Sequence, residues 1–409
     1  MKKRNKILFE TVWRDNDSVS DSRGRRVNKM PGCIYNKIKT SRTFLLTVFL
    51  WSQFAVYAGT FGNKEDEAVS YIQEEVVFST KEVTLAGTLT LPRTSGRHPA
   101  VILLHGSGPL NRDQEVFGMK SFKIIADHLT RRGVAVLRYD SRGVGGSSGT
   151  PYQFTLPDVA EDALAAIRYL KTRNDINPAQ IGLCGQSQGA VVAPLAASRS
   201  EDVAFIVCLA GFGIPGDEVH IAQMTAIAQV DGASEQEIEG LAENLKRIIS
   251  LIRKEANEAE IRPLITTMLK NQWASMSQDS EKETKENNEA VDAHVDCALS
   301  LYKSQWFRFF IDYDPRPALE QVMCPELFVF GQLDTQVPME VNRMAIWKVL
   351  KQSGNNDYTL KMIPKANHMF QSASTGSPSE YSSLEKKFVP GFLEFVSDWV
   401  LKRVDIVTQ

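Results

Sequence analysis

Cysteine is scarce in this chain, and its spacing does not suggest a metal site. The five cysteines among 409 residues form no Cys-x-x-Cys pair, and no His-Glu-x-x-His segment occurs. Such spacings are typical of zinc sites, because two ligands must reach one ion from the same turn or helix face. The sequence therefore predicts no metal and no other cofactor.

A strong excess of charge of either sign is also absent. The formal net charge is −2, and basic runs with interleaved aromatic residues do not occur. The chain therefore lacks the electrostatic signature of a nucleic-acid-binding protein. We expect a small molecule as its partner. At 43% hydrophobic residues the chain can bury a large core, and one domain with an insertion fits as well as two domains. The oligomeric state stays open.

The N-terminal region reads as a targeting segment. Basic residues precede an uncharged stretch over 43–63, and small residues follow its apolar centre up to Ala58. This order predicts a signal peptide within 1–58, cleaved after Ala58, and hence a periplasmic or secreted protein. An uncleaved membrane anchor is the alternative, because the stretch is about long enough to span a bilayer. Met1 and Met30 are both candidate starts.

A Gly-x-Ser-x-Gly pattern with Ser187 at its centre is the most informative motif. It follows a short apolar run and precedes the small, apolar helix predicted over 190–198. Glycine is needed at Gly185 and Gly189 because the strand-to-helix turn is sharp and leaves no room for side chains. We predict Ser187 as a nucleophile. The backbone amide of Gln188 is predicted to stabilise a developing oxyanion.

An acid and a histidine follow in the order expected for a Ser-Asp-His triad. Asp334 comes after the strand-like run over 326–330, and His368 lies in a loop after the run over 359–363. In such a triad the imidazole takes the serine proton, and the carboxylate fixes the imidazole tautomer. The alternatives are a turn or cap residue for Asp334 and a surface-loop histidine for His368.

A glycine-rich loop after the strand predicted over 100–104 is the candidate source of a second oxyanion donor. Its motif glycines are Gly106 and Gly108. We predict the backbone amide of Ser107 as the donor, with that of Gly108 as second choice. His105 precedes the turn, so we expect it to hold the loop rather than take part in chemistry.

A second glycine-rich segment, over 143–149, lacks the lysine and Ser/Thr pair of a P-loop. We interpret it as a rigid structural loop that is tied by Asp140 or Arg142. It is not predicted to bind phosphate.

Together these motifs resemble the α/β-hydrolase superfamily, and within it bacterial carboxylesterases of the esterase D or dienelactone-hydrolase-like type. The resemblance spans roughly 69–401. It implies hydrolysis of esters with small or medium acyl groups by Ser187, Asp334 and His368. True dienelactone hydrolases have a cysteine nucleophile, so the serine at position 187 argues against a dienelactone substrate.

Alternating strand and helix patterns predict a mostly parallel, doubly wound sheet covered by helices. Strand patterns over 74–79 and 82–91 predict antiparallel edge strands at its N-terminal end. The alternation breaks at Gly213 and resumes near Cys324. The predicted boundaries are therefore 67–212 and 321–404 for the α/β-hydrolase core and 213–320 for a helical cap insertion.

The predicted insertion contains helical patterns over 233–254, 259–273 and 288–310 and a charged run over 278–287. Its place after the strand that follows the nucleophile predicts a cap over Ser187. Trp306 and Phe309 are candidate substrate contacts, although an aromatic cluster on a helix more often serves packing.

The sequence thus predicts a carboxylesterase-type serine hydrolase that works through an acyl-enzyme without a cofactor. A thioesterase, an acyltransferase or a peptidase with the same triad is the first alternative. The second is a non-catalytic binding module on the same fold.

Overall fold

The computed structural model describes residues 71–276 and 285–405. The predicted signal peptide over 1–58 lies outside these residues, as does most of the charged run over 278–287. Within the described ranges, no helix is both long and apolar enough to cross a bilayer.

A large sheet with eight strands forms the centre of the described part of the chain, and a two-stranded hairpin lies outside it. In the sheet the order is β1-β2-β6-β3-β7-β8-β9-β10. The strands are β1 (Ile72–Ser79), β2 (Thr84–Leu91), β3 (His98–Leu104), β4 (Glu115–Val116), β5 (Met119–Lys120), β6 (Ala135–Tyr139), β7 (Ile176–Gln186), β8 (Ile206–Leu209), β9 (Glu326–Gly331) and β10 (Tyr358–Ile363). Strand β2 pairs antiparallel with β1 and β6, and the other neighbours are parallel. The predicted fold class is confirmed.

Helices cover both faces of the sheet. In the described part of the segment between β8 and β9, all the regular elements are helices. The helices are α1 (Ser121–Arg131), α2 (Leu156–Lys171), α3 (Gln188–Ala197), α4 (Gly216–Val230), α5 (Glu235–Arg253), α6 (Glu258–Met276), α7 (Lys285–Tyr302), α8 (Gln305–Asp312), α9 (Arg316–Glu320), α10 (Met339–Gln352) and α11 (Phe392–Leu401). The predicted helical insertion therefore corresponds to α4 to α9.

The central strands are apolar on both sides because both faces of the sheet are covered. In β3, Val101 and Leu103 pack in one apolar cluster with residues of α1 and α11. The alternating Ile102 and Leu104 belong to the opposite cluster, which includes α2, α3 and much of the insertion. All four side chains are 0% exposed. Burial on both faces explains why this strand reads as a continuous apolar run.

The single helix predicted over 288–310 was wrong. The structure has two helices there, α7 and α8, separated at Lys303 and Ser304. The Ser304 side chain caps the second helix, because its Oγ accepts a hydrogen bond from the Phe307 amide at 3.1 Å. Helix α4 and the hairpin of β4 and β5 had not been predicted.

The glycine-rich loop after β6 is tied by both Asp140 and Arg142, the two residues that the sequence analysis named as alternatives. Asp140 accepts hydrogen bonds from the Arg112 guanidinium at 2.8 Å and from the Gly146 amide at 3.1 Å. Arg142 makes a two-point ion pair with Asp162, with both contacts at 2.8 Å. These buried carboxylates fix the loop against the rest of the core.

One carboxyl group lies fully inside the sheet without full hydrogen bonding. Glu326, the first residue of β9, is 0% exposed. Asn355 Nδ2 donates to its Oε1 at 3.0 Å, and its Oε2 has no hydrogen-bond partner in the described part of the chain. Burial raises the pKa of Glu326 to about 8, because the charged form loses its hydration.

We expect Glu326→Gln to remove a pH dependence of stability. The folded-state pKa lies above the unfolded value of 4.5, so the wild type loses stability as the pH rises from that value to about 8. The slope is at most about 1.4 kcal/mol per pH unit. The variant cannot ionise at position 326, so its free energy of unfolding should increase relative to that of the wild type over this pH range. Urea unfolding at about pH 5, 7 and 9 measures the difference, and a difference that does not change with pH would contradict the prediction.

Candidate active site

Ser187 occupies a strained turn between β7 and α3. Its backbone has φ 55° and ψ −118°, outside the regions that non-glycine residues ordinarily adopt. The Ser187 amide donates to the Leu209 carbonyl at 2.8 Å, which ties the turn to the end of β8. The turn places the serine directly before the first residue of a helix. This strand-turn-helix geometry is the one that a nucleophile elbow requires.

The two glycines of the motif are required by close backbone contacts. A Cβ atom on Gly185 would lie 2.0 Å from the carbonyl oxygen of Gly189. A Cβ atom on Gly189 would lie 1.9 Å from the carbonyl oxygen of Leu104 in β3. The Gly189 carbonyl belongs to α3 and the Leu104 carbonyl to β3, and neither can move without distorting its helix or strand. Any side chain at these positions would therefore open the turn.

The acid and the histidine of the predicted triad meet in the structure. His368 Nδ1 lies 2.8 Å from Asp334 Oδ2, and both residues are buried. The other carboxylate oxygen of Asp334 accepts the amides of Gln336 at 2.9 Å and Val337 at 2.8 Å. The carboxylate is therefore held on both oxygens, and a proton on Nδ1 leaves Nε2 of the imidazole free to act as a base.

Ser187 and His368 line the same cavity, which has a volume of about 50 Å³. Ser107 lies in its wall as well. Its twelve lining residues are Gly106, Ser107, Leu110, Gln114, Val116, Phe117, Gln186, Ser187, Gln336, His368, Met369 and Tyr381. None of these belongs to the helical insertion over 213–320, and none is an aspartate, a glutamate, a lysine or an arginine.

The predicted oxyanion loop lies beside Ser187. A Cβ atom on Gly106 would lie 3.5 Å from Ser187 Cβ, and Gly108 has φ +112°. The Gly106 amide donates to Gln114 Oε1 at 2.8 Å and is therefore engaged. This leaves the amides of Ser107 and Gly108 as the candidate donors from this loop, together with the Gln188 amide at the start of α3.

Two buried glutamines connect the loops of the site, and neither was singled out from the sequence. Gln114 Nε2 donates to Gln186 Oε1, and Gln186 Nε2 donates to the His368 carbonyl at 2.9 Å. Since Gln114 also accepts the Gly106 amide, one chain of hydrogen bonds joins the oxyanion loop to the histidine loop. The only sequence signal was the position of Gln186 next to Ser187, because an isolated Gln114 belongs to no motif.

His105 holds the loop and is unsuited to act as a base. Its ring is buried, with Nδ1 3.4 Å from the Gly106 carbonyl, and it stands edge-on to the Tyr139 ring at 5.5 Å. Burial lowers the pKa of His105 to about 4, because the charged form is desolvated.

The structure places Trp306 and Phe309 away from the lining of the cavity. The buried Trp306 indole stacks on Phe310 at 5.2 Å, and its Nε1 donates to the Gln188 side chain. The Phe309 ring faces Tyr313 at 5.9 Å. A contact of either residue with substrate stays a prediction.

The described residues contain no group of three or more His, Cys, Asp or Glu side chains placed to hold a metal ion.

Several proteins are similar to this chain. Esterase EstD of Thermotoga maritima is 28% identical over 346 residues, which are 83% of this chain and 71% of the relative. Thiohydrolase aneE of Aspergillus aculeatus is 32% identical over 146 residues, which are 35% of this chain and 42% of the relative. The solved structure of esterase Pf2001 of Pyrococcus furiosus has a TM-score of 0.47 at 16% identity, and the match covers 75% of this chain and 87% of that chain.

A family model described as serine aminopeptidase, S33, matches residues 100–372. The matched segment is more than half of the chain, and it contains Ser187, Asp334 and His368. It begins in β3 and ends just after the histidine loop, so it covers the parallel part of the sheet and the site described above. The chain therefore belongs to the serine aminopeptidase (S33) family, whose members are hydrolases with the α/β-hydrolase fold.

Proposed function

We propose that this protein is a carboxylesterase-type hydrolase that cleaves esters through an acyl-enzyme on Ser187. The observation that carries the proposal is geometric. Ser187 projects from a strained elbow into a cavity that it shares with His368, and His368 Nδ1 lies 2.8 Å from a buried carboxylate. The name of the EstD relative supports the same activity.

The proposed reaction has two steps. His368 Nε2 takes the proton of the Ser187 hydroxyl while Oγ attacks the ester carbonyl carbon, and the same proton then goes to the departing alcohol as the ester C–O bond breaks. In the second step His368 takes a proton from water while the water oxygen attacks the acyl carbon. The bond between that carbon and Ser187 Oγ then breaks as the proton passes from His368 to Oγ, which releases the carboxylic acid and restores the serine. Asp334 stabilises the imidazolium formed in each step.

The proposed oxyanion hole consists of the backbone amides of Ser107 and Gln188. In both steps negative charge develops on the former carbonyl oxygen, and two N–H groups aimed at that position stabilise the transition state more than the ground state. The Gln188 amide also lies at the positive end of α3.

An uncharged ester fits the cavity better than a peptide with a free amino terminus. An aminopeptidase must hold the ammonium group of its substrate, and burying that charge without a carboxylate partner is costly. The described lining of the cavity contains no carboxylate. This favours esters over the peptidase alternative, although the family takes its name from aminopeptidases.

Substrate panels separate the remaining alternatives. Thioesters deserve a place in the panel because one relative is named a thiohydrolase. We expect p-nitrophenyl esters to be hydrolysed with a higher kcat/KM than acyl-CoA thioesters or chromogenic aminoacyl peptides. Cleavage of peptides without cleavage of esters would overturn the proposed function. Failure of a fluorophosphonate probe to label the protein would favour a non-catalytic binding module.

We also propose that the protein is exported, on the basis of its N-terminal sequence alone. Expression of the full chain in a bacterium with a periplasm, followed by sequencing of the mature N-terminus, tests this. The expected new terminus is Gly59. A protein that stays in the membrane fraction with an intact N-terminus would indicate the anchor instead.

We expect Ser187→Ala to lower kcat by several orders of magnitude, because the nucleophile is lost while binding is retained. Labelling by a fluorophosphonate should disappear. Ser198→Ala, at the end of the same helix, is the matched control and should keep both labelling and turnover. Substantial turnover by Ser187→Ala with an unchanged melting temperature would place the nucleophile elsewhere.

We expect Gln114→Met to lower kcat by at least about tenfold with little change in KM. Gln114 is a positioning residue, and a methionine of similar size cannot hold the Gly106 amide or the Gln186 side chain. Steady-state kinetics with a short-chain aryl ester measure the two constants separately. Gln180→Met, near the amino end of β7, is the control. A loss of kcat that is accompanied by a large fall in melting temperature would contradict the positioning role, and so would a change in KM alone.

A further inference from the structure

A small apolar cluster stands apart from the two main clusters of the core and borders the nucleophile. It consists of the buried residues Leu110, Val116, Met369 and Tyr381, with Phe117 and Leu384 packed against them. Five of these six side chains also line the cavity that contains Ser187. The cluster therefore forms a continuous apolar wall of the site.

The hairpin of β4 and β5 supplies part of this wall through a strained turn. Its two central residues, Phe117 and Gly118, have φ 49° and φ 81°, and positive φ at both positions is the mark of a type I′ turn. Asparagine, aspartate or glycine is favoured at the first position, where phenylalanine is an outlier that costs about 1–3 kcal/mol. Folding alone would favour another residue at position 117.

The Phe117 ring packs against Tyr381, which is itself held in place. Its ring stands edge-on to Tyr381, with centroids 6.1 Å apart and an angle of 88° between the planes. Tyr381 is buried, and its hydroxyl accepts a hydrogen bond from Gln336 Nε2 at 3.0 Å. Gln336 in turn lies two residues after Asp334. The pair of rings thus bounds the cavity between the hairpin and the loop of the triad acid.

The chain runs directly from the oxyanion loop into this wall. Ser107, the candidate donor, is followed by Leu110, and the hairpin begins at Glu115. An ester carbonyl whose oxygen is held by the Ser107 amide has its carbon next to Ser187, so one of the two substituents on that carbon lies against the segment that follows Ser107. No side chain with a formal charge lines this part of the cavity.

We propose that the cluster of Leu110, Val116, Phe117, Met369 and Tyr381 is the acyl-binding subsite, and that Phe117 limits the length of the acyl chain. The subsite accepts short, uncharged aliphatic acyl groups. The inference rests on the proposed esterase function. It specifies that the enzyme selects its substrates by the acyl group and that Phe117 makes this selection. The strain at position 117 is retained because it aims an aromatic ring into the site.

The test compares Phe117→Asn and Phe117→Trp with the wild type on p-nitrophenyl esters of acetate, butyrate, octanoate and decanoate. Asparagine suits the type I′ turn and shortens the wall, so the kcat/KM ratio of octanoate to acetate should rise about tenfold or more. The melting temperature should stay equal or rise. Tryptophan fills the subsite, so the ratio should fall. Met323→Asn, at an exposed apolar residue, is the matched control and should leave the ratio unchanged.

A second series holds the acyl group as acetate and varies the alcohol from methyl to benzyl. We expect the ranking of these esters to be the same in the wild type and both variants. A change confined to the alcohol series would overturn the assignment to the acyl side. Unchanged acyl-length ratios in both variants would overturn the role of Phe117 while leaving the esterase function intact. A wild type that cleaves none of the esters would overturn the function itself.

Discussion

The site depends on the backbone strain held at Ser187. A residue with φ 55° costs about 1–3 kcal/mol and persists only where its surroundings fix it. Here the fixing contacts come from three strands: the serine amide binds the Leu209 carbonyl of β8, while Gly189 packs on the Leu104 carbonyl of β3 and Gly185 on Gly189 itself. The strained turn therefore depends on the assembled parallel sheet, and only the folded protein presents Ser187 to the cavity in this conformation.

Buried amide groups carry this constraint to the loops around the turn. Gln114 and Gln186 are almost fully buried, and an unpaired polar group there would cost about 1–3 kcal/mol. Each instead pairs with the other and with a backbone group, Gly106 on one side and His368 on the other. The loops that contain Gly106 and His368 are far apart in the sequence, and these hydrogen bonds fix the distance between them. A reaction in which groups from both loops contact the substrate at once needs such fixed positions.

The two ends of the sheet contain different unfavourable features, a strained backbone at one end and a buried carboxyl group at the other. At the carboxyl end of β7, the backbone of Ser187 is strained, and its amide donates to the Leu209 carbonyl of β8. At the amino end of β9, Glu326 leaves one carboxyl oxygen without a partner, and burial keeps its pKa near 8. That group lowers stability at high pH without touching the cavity. The strained turn at Ser187 and this buried carboxyl group thus lie at opposite ends of the sheet.

The sequence alone determined the parallel sheet, the elbow at Ser187 and the identity of Asp334 and His368 as candidates, because each rests on a local pattern of apolar runs, glycines or chain order. It did not reveal Gln114, the Phe117 hairpin or the break at Ser304. A lone glutamine has no periodicity, strands of two residues are too short to show alternation, and a serine cap inside an apolar helix pattern is a weak signal. Only the tertiary structure brought Gln114 and Phe117 to one cavity, since their contacts with Gln186 and Tyr381 cross tens to hundreds of positions of the chain.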